Sequence, residues 1–377
     1  MKTNDTEKCL SSPSGLEPGE WCEHIRLPKM VRLHPIKDEL FVITESGKLA
    51  RWRYTPALTF VDGLETSDIN DLTFSSDGQW FAVSAPALRS IDIRSTEDLS
   101  LLRQIRNAFT NGEYMFSMCL DQDGSWLVID SCRKPGELDE EEGLAWIHLQ
   151  TGEAHARTWP EMDYVDPEEL GYGHICQMAL SPDQKRLAVN EWKEGSAVIH
   201  IFPSLLKGHQ RTGSLEERQL SQFAWVDINS NVSDLCFHPD STCLVCFKTT
   251  SMDGWKYDHW RYPSVGAGWV GELITISATR REELWRVPID SRLTGWERGI
   301  LEGHYAPHGY AGKVLAGETE VVCTTPNGQL LFFDMKTGEF QRKLKVNGNH
   351  IYAIGLHKDG DKIRVATDRE LQVIEWK

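Results

Sequence analysis

The sequence predicts an all-β protein, a seven-bladed β-propeller of four-stranded antiparallel blades. Three observations carry this prediction. A short apolar alternation followed by a tight turn recurs seven times in 377 residues. Further strand-like segments follow each copy, and repeats of roughly 40 to 50 residues with several strands each are typical of propellers. The last repeat lacks a final strand, and an unassigned strand precedes the first repeat.

The repeats predict the elements in order, with strands labelled a to d from the central channel outward. The apolar alternation of strand a and its turn is clearest at 72–78, 179–184, 235–240 and 354–360, and weaker at 31–35, 118–124 and 314–318. Alternation marks a strand, and Asp, Gly and Pro favour turns. In the second repeat we predict strands over 70–75, 80–84, 90–94 and 99–105.

The two ends of the chain predict how the ring closes. The seventh repeat supplies strands over 351–356, 362–367 and 371–376 and then stops, whereas the segment 21–27 precedes the first strand a. We expect this segment to be the outer strand of the last blade, because closure removes exposed edges. Residues 1–19 are polar and are expected to form a flexible tail, and residues 20–377 one domain.

Charge and cysteines limit the class of protein. A net charge of -16 argues against nucleic acid and an anionic membrane surface as partners, and mildly favours a basic protein or peptide. The nine cysteines are odd in number and several lie in predicted strands, which is typical of free thiols in a core. With no signal peptide and no long apolar run, we expect a cytoplasmic chain that is monomeric by itself.

The strand-to-turn segments and the split last blade resemble those of the WD-repeat propellers, over about residues 21–377. The Trp-Asp dipeptides of that family are missing. The nearest equivalents are 50–52, 332–334 and 374–376, and a Gly-His dipeptide stands just ahead of a strand a only at 303–304. The resemblance implies a rigid interaction platform that is usually not catalytic, although fold alone does not decide function.

The connections that join strands b to c and d to a should share one face of the ring, the top, and here they carry most of the insertions. Two of them in blades 3 and 4 are acidic, and two in blades 5 and 6 are rich in aromatic rings. The candidate binding residues are Glu140, Glu141, Glu142, Asp163, Asp166, Trp255, Tyr257, Trp260, Arg261, Tyr262, Trp269, Trp296 and Tyr305.

Aromatic rings with arginine on rigidly held loops have the composition of a binding hot spot. The alternative is that the rings fold back and staple the long loops to the ring. The acidic run would steer a basic partner, or it would only be a solvated loop. We favour a non-catalytic interaction module, such as a scaffold, an adaptor or an inhibitor of the immunity-protein type.

Other functions stay open. A small-molecule or glycan-binding propeller would place stacking rings at the mouth of the channel. A hydrolase or lyase would place convergent carboxylates and histidines there. The sequence shows no catalytic motif and predicts no metal or cofactor: the pair Cys243 and Cys246 lies along a predicted strand, whose alternation would turn the two sulfurs to opposite faces.

Overall fold

The computed structural model describes residues 28–44, 47–53, 58–64, 69, 71–85, 90–106, 117–121, 123–130, 143–158, 174–193, 196–203, 224–227, 232–249, 271–280, 282–294, 312–325, 327–348, 350–357 and 360–376. These residues form seven small antiparallel sheets, the blades of a β-propeller. The all-β fold class predicted from the repeats is confirmed.

Each of the first three blades has four strands. Blade 1 contains β1 (Pro28–Leu33), β2 (Leu40–Thr44), β3 (Leu49–Trp52) and β4 (Leu58–Phe60). Blade 2 contains β5 (Leu72–Phe74), β6 (Trp80–Ala85), β7 (Ser90–Ser95) and β8 (Leu101–Arg106). Blade 3 contains β9 (Met118–Leu120), β10 (Trp126–Asp130), β11 (Gly143–His148) and β12 (Ala154–Thr158).

Blades 4 to 6 repeat the pattern. Blade 4 contains β13 (His174–Leu180), β14 (Arg186–Lys193), β15 (Ser196–Pro203) and β16 (Ala224–Asp227). Blade 5 contains β17 (Val232–Phe237), β18 (Cys243–Thr249), β19 (Gly271–Ser277) and β20 (Glu283–Ile289), followed by the short helix α1 (Ser291–Thr294). Blade 6 contains β21 (Val314–Ala316), β22 (Glu320–Thr324), β23 (Gln329–Asp334) and β24 (Phe340–Lys345).

Blade 7 shows three strands among the described residues, β25 (Ile351–Leu356), β26 (Lys362–Thr367) and β27 (Leu371–Glu375). The predicted bounds of its strands agree with these to within a residue. The segment 21–27, expected to complete this blade, and the tail 1–19 lie outside the described residues. Closure by the N-terminal strand therefore stays a prediction.

The core consists of apolar clusters, one between each pair of neighbouring blades. They form because side chains alternate across each strand, so that successive residues face opposite neighbours. Cys243 and Cys246 illustrate this, since the first packs between blades 5 and 6 and the second between blades 4 and 5. Blade 7 packs on blade 1 through Ala353, Ala366 and Val31, so the ring is continuous.

The strand bounds also assign the connections to faces. In an up-and-down blade the b-to-c and d-to-a connections leave one face, and the a-to-b and c-to-d connections the other. The segments 131–142, 159–173, 250–270 and 295–311 accordingly join strands at the top face. The long segment 204–223 joins β15 to β16 and belongs to the bottom face, so the insertions are less confined to the top than the sequence suggested.

The helix content of the described residues is small. No helix in that part of the chain is long and apolar enough to cross a membrane.

Candidate functional site

The thirteen candidate binding residues all lie outside the described part of the chain. They fall in the segments 131–142, 159–173, 250–270 and 295–311, and their role in binding or stapling stays a prediction. The structure does describe the strand ends that flank these segments. Those ends define the support on which a binding surface would stand.

The two aromatic-rich segments end at the same buried ring. Gly271 follows the segment 250–270, and Gly312 follows the segment 295–311. A Cβ atom at Gly312 would stand 2.5 Å from the ring of Phe247, and one at Gly271 would stand 2.7 Å from it and also meet the carbonyl oxygen of Lys248. Since Phe247 is fully buried, only glycine lets both chains come this close. Both segments therefore leave from one packed contact.

Hydrogen bonds hold the residues on both sides of the segment 295–311. Helix α1, just before it, is tied to blade 6 because Asn327 Nδ2 and Gln329 Nε2 donate to Thr294 O at 3.1 and 2.9 Å. Just after it, Ser233 Oγ donates to Gly312 O at 2.8 Å. Because blades 5 and 6 fix both ends, a partner contacting this segment would meet a support that is already ordered.

A buried ion pair lies at the ends of the two strands that the segment 250–270 connects. Lys248 Nζ is 3.2 Å from Glu272 Oε2, and Arg286 Nη1 is 3.1 Å from the same oxygen. The Lys248 side chain is 1% exposed. Removing either Lys248 or Glu272 would leave an uncompensated charge where β18 pairs with β19, because a buried ammonium needs its carboxylate.

A second polar cluster lies in the central channel. Asp71, Gln177, Asp234 and Lys313 occupy equivalent positions at the top of strand a in blades 2, 4, 5 and 6. The pairing with strand b shows the equivalence. Ser84 N donates to Asp71 O, and Thr324 N donates to Lys313 O in the same way. In the other two blades, Gln177 lies opposite Asn190 and Asp234 lies opposite Phe247. Arg32 of blade 1 joins this set, which we call the channel cluster.

The two carboxylates of the channel cluster connect neighbouring blades. Asp71 Oδ2 accepts Met118 N of blade 3 at 2.8 Å, and Asp234 Oδ2 accepts Val314 N of blade 6 at 2.9 Å. Arg32 Nη2 donates to Asp71 Oδ1 at 3.1 Å. Burial raises the pKa of the Asp71 carboxyl, and Arg32 opposes the shift. Each Asp thus binds the first residue of the next inner strand.

The remaining members of the cluster are less fully bonded. Gln177 Nε2 donates to Asp234 Oδ1 at 3.0 Å, while its buried Oε1 accepts no hydrogen bond from a described residue. Burial lowers the pKa of the Lys313 ammonium, Asp234 and Asp71 act against the shift, and Arg32 adds to it. The charged groups that influence the pKa of Lys313 are thus Asp234, Asp71 and Arg32 of the same cluster.

The motifs visible in the sequence do not single out this cluster, although one signal was present. The signal is a polar residue at the same spacing before the a-to-b turn in four blades, within strand a or just before it. These residues are Asp71, Gln177, Asp234 and Lys313. The cluster combines two carboxylates with two cations and contains no histidine. Both carboxylates already accept main-chain N–H groups, an arrangement typical of structural links.

The cysteines and histidines supply no further cluster among the described residues. Burial raises the pKa of Cys119, Cys236 and Cys323, and that of Cys246 to about 12, so these thiols stay protonated at neutral pH. Within the described ranges no group of three His, Cys, Asp or Glu side chains could hold a metal ion.

The comparisons with known proteins address the fold alone. No family model matches the chain, and no curated protein matches it. Among solved structures it is similar to Kuenenia stuttgartiensis hydrazine synthase, with a TM-score of 0.57 and 12% identity, covering 93% of this chain and 96% of that chain. At this identity the likeness shows a shared propeller fold and does not extend to activity.

Proposed function

We propose that this chain is a non-catalytic interaction module that binds a protein or peptide, preferably a basic one, through the top-face connections of blades 3 to 6. The observation that carries the proposal is that the residues following the two aromatic-rich segments, Gly271 and Gly312, both pack against Phe247. A surface supported on a rigid scaffold loses less entropy on binding than a free loop. The resemblance to WD-repeat propellers, whose members are usually interaction platforms, favours the same function.

The remaining parts of the proposal rest on composition. The net charge of -16 would speed the approach of a basic partner. Cys119, Cys236, Cys243, Cys246 and Cys323 are unpaired thiols, which agrees with the cytoplasmic location that we propose. We also propose that the chain is monomeric by itself.

The proposal is tested by removing two aromatic rings. The double variant Trp255→Ala/Trp260→Ala is compared with wild type in a pull-down from native lysate, and the captured protein is then purified and titrated by calorimetry. We expect the double variant to lose at least about a hundredfold in affinity, since hot-spot rings each contribute about 2 kcal/mol or more.

A matched control is Leu101→Ala/Leu102→Ala, which removes two side chains that are 48% and 58% exposed on the outer strand of blade 2. It should bind as wild type does. If the tryptophan variant instead binds normally, or loses binding only together with a large fall in melting temperature, the rings staple the loop and the proposal is wrong.

A further inference from the structure

The outer strand of blade 6 presents a main-chain edge that no described strand covers. β24 is the last strand of its sheet, and five of its six residues are exposed. On its inner side, Val346 N donates to Gly328 O at 3.1 Å. Opposed residues of an antiparallel pair alternate between bonded and unbonded positions. The main-chain N–H and C=O groups of Lys343 and Lys345 therefore point to the outer edge.

This edge is basic, although the protein as a whole is acidic. β24 contains no acidic residue and three cations, Arg342, Lys343 and Lys345, in a chain of net charge -16. Arg342 is neutralised within its blade, because its Nη2 lies 2.9 Å from Glu320 Oε2. The two lysines instead donate to main-chain carbonyl oxygens, and neither forms an ion pair with a described residue. Both are exposed and keep an uncompensated charge beside the edge.

An apolar side chain lies between the two lysines along the strand. Leu344 is 39% exposed and faces blade 7, since its partner Leu330 packs in the cluster between blades 6 and 7. Lys343 and Lys345 face the opposite side of the sheet, because side chains alternate along a strand. A strand added at this edge would thus meet two cations on one face and a leucine on the other. Opposite charges and apolar side chains both form stabilising cross-strand pairs.

Three other outer strands are less suited to pairing. β20 contains Pro288, which has no N–H to donate, and residues 103–105 of β8 are half-buried. β4 has only three residues. In β24 the register shift lies near the start of the strand, so residues 342–345 pair regularly with β23 and offer a regular outer edge.

We propose that the outer edge of β24 binds an extended acidic peptide, which adds to blade 6 as a fifth strand. Carboxylates on alternate residues of the peptide lie beside Lys343 and Lys345, and the apolar residue between them packs on Leu344. Main-chain hydrogen bonds supply the affinity, and the alternate side chains supply the specificity. Lysines at a strand edge also oppose pairing with basic strands, so the same residues favour an acidic one. This surface differs from the top-face connections and does not depend on them.

The test uses the synthetic peptide acetyl-Gly-Glu-Leu-Glu-Val-Glu-Gly-amide, titrated by calorimetry at low salt. Wild type should bind it, and the affinity should fall as salt is added. The control peptide carries an N-methyl group on each glutamate, so it keeps the charge but loses main-chain donors. It should bind about tenfold more weakly or less, since each hydrogen bond contributes about 1 kcal/mol. Amide hydrogen exchange at residues 343 and 345 should slow when the parent peptide binds.

The protein variants test the two lysines. Lys343→Gln/Lys345→Gln should weaken binding about fivefold or more, because two cross-strand charge pairs are lost. Lys185→Gln/Lys336→Gln is the matched control, since it removes the same charge from two exposed lysines outside β24. It should bind within about twofold of wild type, because distant surface charges are screened.

The two peptides compared on wild type test the proposal even if the Lys343→Gln/Lys345→Gln variant does not fold. The proposal is overturned if wild type does not bind the parent peptide, or if the N-methylated peptide binds equally well and charge alone holds it. Equal affinities of the two double variants would overturn it as well.

Discussion

The junction between blades 5 and 6 and the junction between blades 7 and 1 use different chemistry for the same task. Blades 5 and 6 meet through a large ring, since Phe247 packs in a cluster with Val314 and Leu331 and against the two glycines that end the long connections. Here shape excludes any larger residue at Gly271 or Gly312. The contact is apolar and closely packed.

Blades 7 and 1 meet through an apolar cluster and, in addition, a buried guanidinium. Blade 7 contributes the buried Ala353 and Ala366 to this cluster, and its Tyr352 and Leu371 pack against it. Arg364, which is 3% exposed, donates to Pro35 O at 2.7 Å and to Lys37 O at 3.1 Å in the first a-to-b turn of the ring. This junction depends on a long side chain that satisfies main-chain carbonyls on the neighbouring blade.

This difference shows that blades built from the same four-stranded repeat can be joined to their neighbours by different contacts. At blades 5 and 6 a large buried ring lies at the centre of the junction. Where the first and last repeats meet, a buried guanidinium adds hydrogen bonds to the apolar packing. The junctions should therefore respond differently to truncation, and three experiments test this difference.

The largest effect is expected from deleting residues 20–27. Among the described residues the outer edge of β27 pairs with no strand, and we predict that this segment fills the edge. The deletion should lower the free energy of unfolding by about 5 kcal/mol or more, since a strand supplies several hydrogen bonds at about 1 kcal/mol each and buries apolar side chains. Urea denaturation followed by circular dichroism measures it.

The control is deletion of residues 2–9, which should leave the urea midpoint unchanged. A midpoint for the 20–27 deletion equal to that of wild type would show that the segment does not belong to the ring. Blade 7 would then be a three-stranded blade held by Arg364 and its apolar contacts alone.

An intermediate effect is expected from Phe247→Ala at the junction of blades 5 and 6. Truncating a fully buried ring leaves a cavity and should cost about 3 to 5 kcal/mol. Phe340→Ala is the matched control, because Phe340 is 41% exposed on the outer strand of blade 6 and should cost within about 0.5 kcal/mol. Equal costs for the two variants in urea denaturation would mean that the ring does not hold this junction.

The sequence predicted the blades well for a physical reason. Strand alternation and turn chemistry are local, so the repeat around 72–78 already indicates β5 and β6, and the segment 351–376 indicates all three described strands of blade 7. The opposite packing of Cys243 and Cys246 follows from the same alternation.

The channel cluster escaped prediction because it is not local. Lys313 and Asp71 belong to blades 6 and 2, and only closure of the ring brings them within electrostatic reach. Likewise, Gly271 and Gly312 have no sequence signal that points to Phe247. The long segment 204–223 was harder to assign to a face, because its face depends on counting every preceding strand correctly.

The first a-to-b turn offers the smallest of the three effects. His34 is 1% exposed, and its Nδ1 accepts Ile36 N and Lys37 N at 3.1 and 2.8 Å. Its Nε2 lies 2.8 Å from Gly78 O of blade 2 and 3.8 Å from Glu39 Oε1. The same turn receives the Arg364 guanidinium, so His34 extends the polar junction from blade 1 to blade 2.

Burial lowers the pKa of His34, with the Gly78 carbonyl and Glu39 acting against the shift and Lys37 and Arg364 adding to it. The unfolded chain therefore binds a proton at this site more readily than the folded chain. The stability is complete above the ordinary histidine pKa of about 6.5 and is lost as the pH falls below it, by up to about 1.4 kcal/mol per pH unit for one proton.

His34→Asn should flatten this pH dependence, because the amide oxygen can still accept a main-chain N–H from the turn but does not titrate. Urea denaturation at pH 5, 6 and 7 measures the slope, and the variant should lose less stability than wild type between pH 7 and pH 5. If stability falls equally with pH in wild type and His34→Asn, protonation of His34 does not cause the acid sensitivity of this junction. The thiols in the apolar cluster around Phe247 are already protonated at neutral pH and take up no proton in acid. Acid should therefore loosen the ring first where blades 7, 1 and 2 meet.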